Sequence, residues 1–314
     1  MEHQIFSKTI DLAKNPKVQI GAGVLLGLKS LQHWSAWYTK RKVNNNVRDP
    51  SWSWSREIVV VTGGSSGIGA AVVSEFAGKG IKVLILDRSP PHNKLFANTY
   101  FYQVDLTDSE AISSVADRIR VDHGNPTVLI NNAGLSNTLP VLEIPEAKLR
   151  AIFNLNIIAP ILLTQHFLPS MVKHNHGHIV NVASQASFAT QATNVDYGAT
   201  KSGLLAFHEG LGQELRHLYK APRVRTSVVH PTWVVTPMTA NLVEGGKLKD
   251  TPVTAEDVAS AIAKQVLSGF GAQIIVPSSL GWTSLMRGMP GWLQESLRDT
   301  VTLILINASG HAST

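Results

Sequence analysis

The chain has no cysteine. Disulfides, thiolate metal sites and a cysteine nucleophile are therefore excluded. Charge is also sparse: of 314 residues, 16% are charged and 44% hydrophobic. That balance permits a sizeable core and argues against disorder, and the length fits one large domain or two small ones. The formal charge is +6, but the basic residues are dispersed, and only YTKRKVNNNVR (38–48) clusters them. A nucleic-acid partner would call for a basic stripe with interleaved aromatics, so none is expected.

Long apolar runs are missing as well. The N-terminal run VQIGAGVLLGL (18–28) would span about 16 Å as a helix, half of a bilayer core. That is too short for a simple transmembrane helix. A long preceding segment that contains acids, and the lack of a small-residue cleavage site, exclude a signal peptide. Two readings stand. In one, residues 18–42 make peripheral, monotopic membrane contact, with Trp34, Trp37 and Tyr38 at the interface and Lys40, Arg41 and Lys42 facing anionic lipid. In the other, the segment is an ordinary helix packed on the domain. The expected location is cytoplasmic, membrane-associated under the first reading. Residues 44–55 read as a polar linker. Near the other end, VTLILI (301–306) is far too short to span, and the sequon at Asn307 has meaning only in a secretory lumen.

Metal chemistry lacks support too. In KHNHGH (173–178), His174, His176 and His178 alternate, but no acid lies within the cluster. It reads as a solvated loop entering a strand, and no metal is expected.

What the chain does contain is alternation. Short β-branched apolar runs recur at 57–62, 82–87, 100–105, 127–131, 178–184, 224–230 and 273–277, as buried strands should. Helical patterns lie between them at 68–78, 109–121, 144–173, 195–219 and 255–267. This predicts an α/β fold, a doubly wound parallel seven-stranded sheet. It would occupy 56–280, after an extension (1–55) and before a helical tail (281–314). Ligands of such sheets bind at the carboxyl ends of the strands.

The first strand runs into TGGSSGIG (62–69). Gly63 permits the tight turn, Gly67 a close backbone approach to a pyrophosphate, and Gly69 close helix–sheet packing. Ser65, Ser66 and Ile68 complete this cradle at a helix N-terminus. No Gly-Lys-Ser/Thr follows, which excludes a nucleotide-triphosphate loop. Asp87 ends the second strand, where a carboxylate accepts from the ribose hydroxyls of NAD and repels the 2′-phosphate of NADP. NAD(H) is favoured over NADP(H), although Arg88 argues the other way. Asp105 and Leu106 would lie beside the adenine. Asn132, Ala133 and Gly134 end strand four, where the backbone must pass close to the cofactor.

Together these motifs resemble the short-chain dehydrogenase/reductase family over about 56–277, and the fold so implied is the Rossmann fold. The resemblance implies catalytic roles for Asn156, Ser184, Tyr197 and Lys201, the last two within DYGATK (196–201). Val234 and Thr236 fall where the family contacts the nicotinamide carboxamide. Thr232 and Ala159 replace glycines frequent in the family. It also implies that Asn156 bends its helix and binds a water linking Lys201 to solvent, and that the chain forms a homo-oligomer through the helix carrying Tyr197 and the one after Asn131.

The residue types suit alcohol–carbonyl interconversion. Tyr197 would move the proton, Ser184 would polarise the substrate oxygen, and Lys201 with a cationic nicotinamide would favour phenolate. Asn154 reads as a solvated helix position, His230 as a satisfied buried histidine, and Asp196 as a helix-start residue. Met238, Leu242 and Val243 before Gly245-Gly246 suggest an apolar lid over a lipophilic alcohol or ketone. The segment 286–301 and the hydrophobic N-terminus resemble the family's membrane-associated retinol and hydroxysteroid dehydrogenase branch, while 286–301 also reads as an amphipathic helix packing over the cleft. Two alternatives are an NADPH-dependent ketoreductase of natural-product biosynthesis and a non-catalytic dinucleotide sensor.

Overall fold

The structure is a computed structural model that describes residues 15–91, 95–240 and 252–309. The chain divides into two compact units, Met1–Asn46 and Val47–Thr314.

In the first unit, helix α1 spans Pro16–Val43. Pro16 suits the first helical turn, and the Asn15 side chain accepts from the N–H of Lys17 at 3.0 Å. The apolar run and the aromatic–basic stretch are thus one helix of 28 residues, about 42 Å long. Ile20, Leu25, Leu26, Leu31, Trp34 and Trp37 are exposed on it. Lys40, Arg41 and Lys42 occupy its last turn, where the helix dipole favours cations.

The second unit is built on seven parallel strands in the order β3-β2-β1-β4-β5-β6-β7. They are β1 (Ile58–Thr62), β2 (Lys82–Asp87), β3 (Thr99–Gln103), β4 (Val128–Asn131), β5 (His178–Val182), β6 (Arg225–Pro231) and β7 (Gln273–Val276). Successive side chains face opposite sides of a strand. Val60, Leu84 and Leu129 therefore pack with α3 (Ser109–His123), α5 (Ala159–His174) and α6 (Val195–His217). Val59, Val61 and Ile130 pack with α2 (Gly67–Ala77) and α7 (Ala255–Leu267) on the other face. Strand order reverses between β1 and β4, which opens a crevice at their carboxyl ends.

The predicted helix 144–173 is found as α4 (Glu146–Phe153), a π turn (Asn154–Ile158) and α5. By length and composition, this Glu146–His174 run is the one helix among the described residues that could cross a membrane. Its Ile152, Leu163, Phe167 and Met171 are core residues, which makes it the central helix of a globular unit.

Two expectations are corrected. Residues 47–55 are no linker, because they fold with the sheet. The side chain of Asp49 is fully buried and reaches His176 Nδ1 at 2.7 Å, and Glu57 reaches His176 Nε2 at 3.2 Å. Trp52 packs 4.2 Å from the same ring, and the buried Arg225 donates to the carbonyl of Val47 at 2.6 Å. The histidine cluster is no solvated loop either. His176 joins this latch, and His178 is fully buried against Ser227 Oγ at 2.8 Å. Its acids come from more than a hundred residues away, out of sight of a local reading. The C-terminal segment is helical and folds with the sheet unit. A 3₁₀ stretch (Ser278–Gly288) and α8 (Gly291–Ser309) belong to the second unit and wall its cleft. Leu242, Val243 and Gly245-Gly246, the expected lid, lie outside the described residues.

Candidate active site

A cleft of about 740 Å³ opens at the carboxyl ends of the strands. At one end lies the glycine turn between β1 and α2. Gly63 has φ +64° and Gly67 φ +51°, a region that side chains rarely adopt. A Cβ on Gly69 would stand 2.0 Å from the carbonyl oxygen of Gly63. Only glycine lets α2 start this close to β1, and the helix N-terminus so exposed suits a pyrophosphate. Ser66, Gly67 and Ile68 line the cleft. The Ser65 hydroxyl instead donates to the Ser89 carbonyl at 2.7 Å, so that expected contact is spent inside the protein.

Asp87 ends β2 at the cleft wall. Its carboxylate accepts from the N–H groups of Ser65 at 3.0 Å and Ser89 at 3.2 Å, which fixes its orientation. Lone pairs remain for hydroxyl donors. Arg88, Asp105 and Leu106 line the same end. Asp105 sits below the usual carboxylate range because its oxygens accept from the N–H and hydroxyl of Thr107.

Asn132, Ala133 and Gly134 also line the cleft. Thr62 sets their path, a role the sequence reading missed. Its Oγ1 accepts from the N–H groups of Asn132 and Ala133, both at 2.9 Å. The Asn132 amide ties back to the Thr62 carbonyl at 3.0 Å. Val234, Thr236 and Thr232 form the opposite wall. Thr232 is not among the residues with positive φ, so this backbone does not need the family's glycine.

Midway along the cleft, Ser184, Tyr197 and Lys201 come together. Ser184 leaves β5, its Oγ accepting from the N–H of Ala186 at 3.1 Å. Tyr197 and Lys201 are one turn apart on α6, with Lys201 Nζ 5.6 Å from the phenol ring centroid. The Ser184 hydroxyl lies close enough to the Tyr197 phenol to act on its ionisation. Two hydroxyls thus converge where one substrate oxygen could meet both.

The electrostatics differ from expectation. Burial pushes the Tyr197 phenol above its ordinary value, and the neighbouring Ser184 hydroxyl offsets this only partly. Lys201 is itself buried, donates to the Val182 carbonyl at 2.8 Å, and is pulled down to about 8 by desolvation. Among the protein's own groups, burial dominates the phenol's shift.

Asn156 is buried in the π turn. Its Oδ1 accepts from the N–H of Leu135 at 2.8 Å, and its Nδ2 donates to the Leu135 carbonyl at 2.9 Å and to Thr200 Oγ1 at 3.0 Å. The helix widens into a π turn at Asn156, and the side chain clamps a loop. Asn154 is not simply solvated, since its amide reaches the Thr107 carbonyl at 3.4 Å. His230 is buried, bonded to the Ser184 carbonyl at 3.0 Å, and held to about 4 mainly by desolvation, hence neutral. No group of three metal-ligating side chains occurs among the described residues.

Beyond Tyr197 the walls are mostly apolar: Leu135, Met238, Leu280, Trp282, Met286, Leu297 and Val301, with Gln191, Asn194 and Thr283 as polar exceptions. The amphipathic pattern of 286–301 was the one sequence hint of these C-terminal walls.

Known proteins resemble this chain in sequence and in fold. The model of the short chain dehydrogenase family matches residues 57–247. Dehydrogenase RED2 of Cochliobolus heterostrophus is 45% identical over 208 residues, 66% of this chain and 77% of that protein. Estradiol 17-beta-dehydrogenase 11 of Mus musculus is 31% identical over 256 residues, 79% of this chain and 84% of that one. The closed form of serine dehydrogenase complexed with NADP+ superposes with a TM-score of 0.63 at 26% identity, covering 69% of this chain and 93% of that structure. The chain belongs to the short-chain dehydrogenase family and is an NAD(P)-dependent oxidoreductase.

Proposed function

We propose that the chain interconverts a lipophilic alcohol and its carbonyl compound, with Tyr197 as acid/base. The observation that carries this is the Ser184–Tyr197 hydroxyl pair, set between the glycine turn and an apolar pocket of one continuous cleft. The nicotinamide, when bound, takes or supplies the hydride. Tyr197 exchanges the proton on the substrate oxygen, and Ser184 holds that oxygen by a hydrogen bond. Lys201 places a positive charge beside the phenol, which lowers the cost of the phenolate that burial raises. Asn156 holds the Leu135 loop that walls the cleft.

Asp87 favours NAD(H), because its fixed carboxylate would repel a 2′-phosphate. The adjacent Arg88 favours the second reading, an NADPH-dependent ketoreductase. The apolar far end of the cleft supports a lipophilic substrate, and the exposed apolar and aromatic residues of α1 support peripheral membrane contact. Exposed Leu149, Phe153, Ile158 and Val195, on the helices the family uses for assembly, support a homo-oligomer.

The test is a panel of sterols, retinol and long-chain secondary alcohols with their ketones, each with NAD(H) and NADP(H). Tyr197→Phe should reduce turnover at least about a thousandfold while NADH still binds. Surviving turnover would overturn the acid/base role, and a strong NADPH preference would overturn the reading of Asp87.

A further inference from the structure

Between Gly134 and the 3₁₀ turn at Val141–Glu143 the chain forms one wall of the cleft. Ser136 and Thr138 line the cleft, whereas Asn137 between them does not. Its amide turns back and donates to Asp196 Oδ2 at 2.6 Å. Asp196 is 4% exposed and also lies behind the wall, although its neighbours Asn194 and Tyr197 face the cleft.

The other oxygen of Asp196 accepts from the N–H of Tyr197 at 2.8 Å. That N–H is one of the donors a helix start leaves without a backbone partner, and the carboxylate suits the positive end of the helix dipole. Asn194, at the N-cap of α6, makes no side-chain cap bond. Its Oδ1 accepts instead from Ser136 Oγ at 3.3 Å. On the far side of Tyr197, the carbonyl of that residue accepts from Thr200 Oγ1 at 2.8 Å, and Thr200 Oγ1 accepts from Asn156, which grips Leu135. Both backbone groups of Tyr197 are thus tied to the 135–138 loop through a single intermediary side chain or two. Thr138 (φ 52°) and Thr193 (φ 61°) adopt left-handed backbone that β-branched residues avoid. Such conformations persist where the surroundings over-determine them.

We propose that Asn137 and Asp196 are a positioning pair that holds the Tyr197 backbone in register with the cleft loop. The pair touches neither the cleft nor the reacting atoms and acts through Tyr197. Its consequence for turnover rests on the acid/base reading of Tyr197. Its consequence for loop order does not.

The full chain would be compared with Asn137→Ala, Asp196→Asn and the exchanged double variant Asn137→Asp/Asp196→Asn. The exchange reverses the polarity of the side-chain bond and keeps an acceptor for the Tyr197 N–H. Hydrogen exchange by mass spectrometry would follow 134–138 and 194–200, alongside NADH affinity and turnover of 2-decanol with NAD+ and 2-decanone with NADPH. Asn137→Ala should speed exchange in both segments about tenfold. It should lower kcat about tenfold or more, with the KM for cofactor and the NADH affinity changed less than about twofold. The double variant should recover both readouts to within about threefold of the parent. If the single variants leave exchange unchanged, or the double variant is no better than they are, the pair has no positioning role. Where neither probe is turned over, exchange alone decides. Tyr197→Phe in parallel separates the two ideas: activity surviving there sinks the acid/base reading and leaves the exchange result standing.

Discussion

At the residue scale, the site carries an electrostatic cost. Burial alone draws Lys201 from 10.5 to about 8. At about 1.4 kcal/mol per unit, that is on the order of 3 kcal/mol against the folded state when the ammonium is charged. The sign follows from linkage. The folded chain binds this proton less tightly than the unfolded chain, so the penalty is full below about 8 and fades as pH rises toward 10.5. Lys201→Met removes the charge but leaves the Val182 carbonyl without its donor, a loss of about 1–2 kcal/mol. The variant should therefore melt about 2–6 °C higher at pH 7, lose turnover, and keep little of that advantage at pH 9.5. Calorimetry at the two pH values checks this, and a lower Tm at pH 7 would contradict the burial argument. That Ser184, Tyr197 and Lys201 share one cleft was legible in the sequence because their spacing is local or motif-bound. The direction of the Tyr197 shift was not, because desolvation depends on everything packed around the ring.

At the element scale, strands and helices were legible where one period dominates. The reading 82–87 for β2 and 255–267 for α7 matches the observed bounds. A β-branched run fixes the first, and the second has an amphipathic stripe opened by the Thr254–Asp257 capping box. The strap from 47 to 57 was illegible because its partners are remote. Burial works to lower the His176 pKa, but the bonds and charges of Glu57 and Asp49 outweigh it and hold it above 6.5. Burial likewise works to raise Asp49 and Glu57, yet hydrogen bonds keep both below their model-compound values of 3.8 and 4.5. The histidine's contribution is full below 6.5 and lost as pH rises through its higher folded value. The acids' contribution is present above 4.5 and lost as pH falls below it. The latch is thus strongest between about 4.5 and 6.5. His176→Ala leaves two buried carboxylates unpaired and should cost about 3 kcal/mol or more near pH 6. The Tm gap between parent and variant should narrow on both sides of that window, and a gap that ignores pH would rule out the ion pair as its source.

At the scale of the whole molecule, the latch decides where the chain can be cut to ask what α1 does. A polar linker ending near residue 55 would make Arg56 the natural start of a soluble enzyme. The structure moves that boundary to Val47, whose carbonyl accepts from Arg225. A chain beginning at Arg56 lacks Asp49 and Trp52, and with them a latch acid and the ring packed against His176. It should melt about 10 °C below a chain beginning at Val47 and expose core surface that Trp52 and Trp54 cover. Such a protein could pellet with lipid because it is partly unfolded, which would obscure the loss of a true anchor. A chain beginning at Val47 keeps the latch. It should match the full chain in Tm and turnover, yet stay in the supernatant with vesicles of phosphatidylcholine and phosphatidylserine while the full chain sediments. The difference should shrink at high salt to the extent that Lys40, Arg41 and Lys42 contribute, because their attraction to anionic lipid is screened. Equal sedimentation of the two chains would remove α1 as the membrane contact and leave its exposed Trp34, Trp37 and leucines to be covered by protein instead.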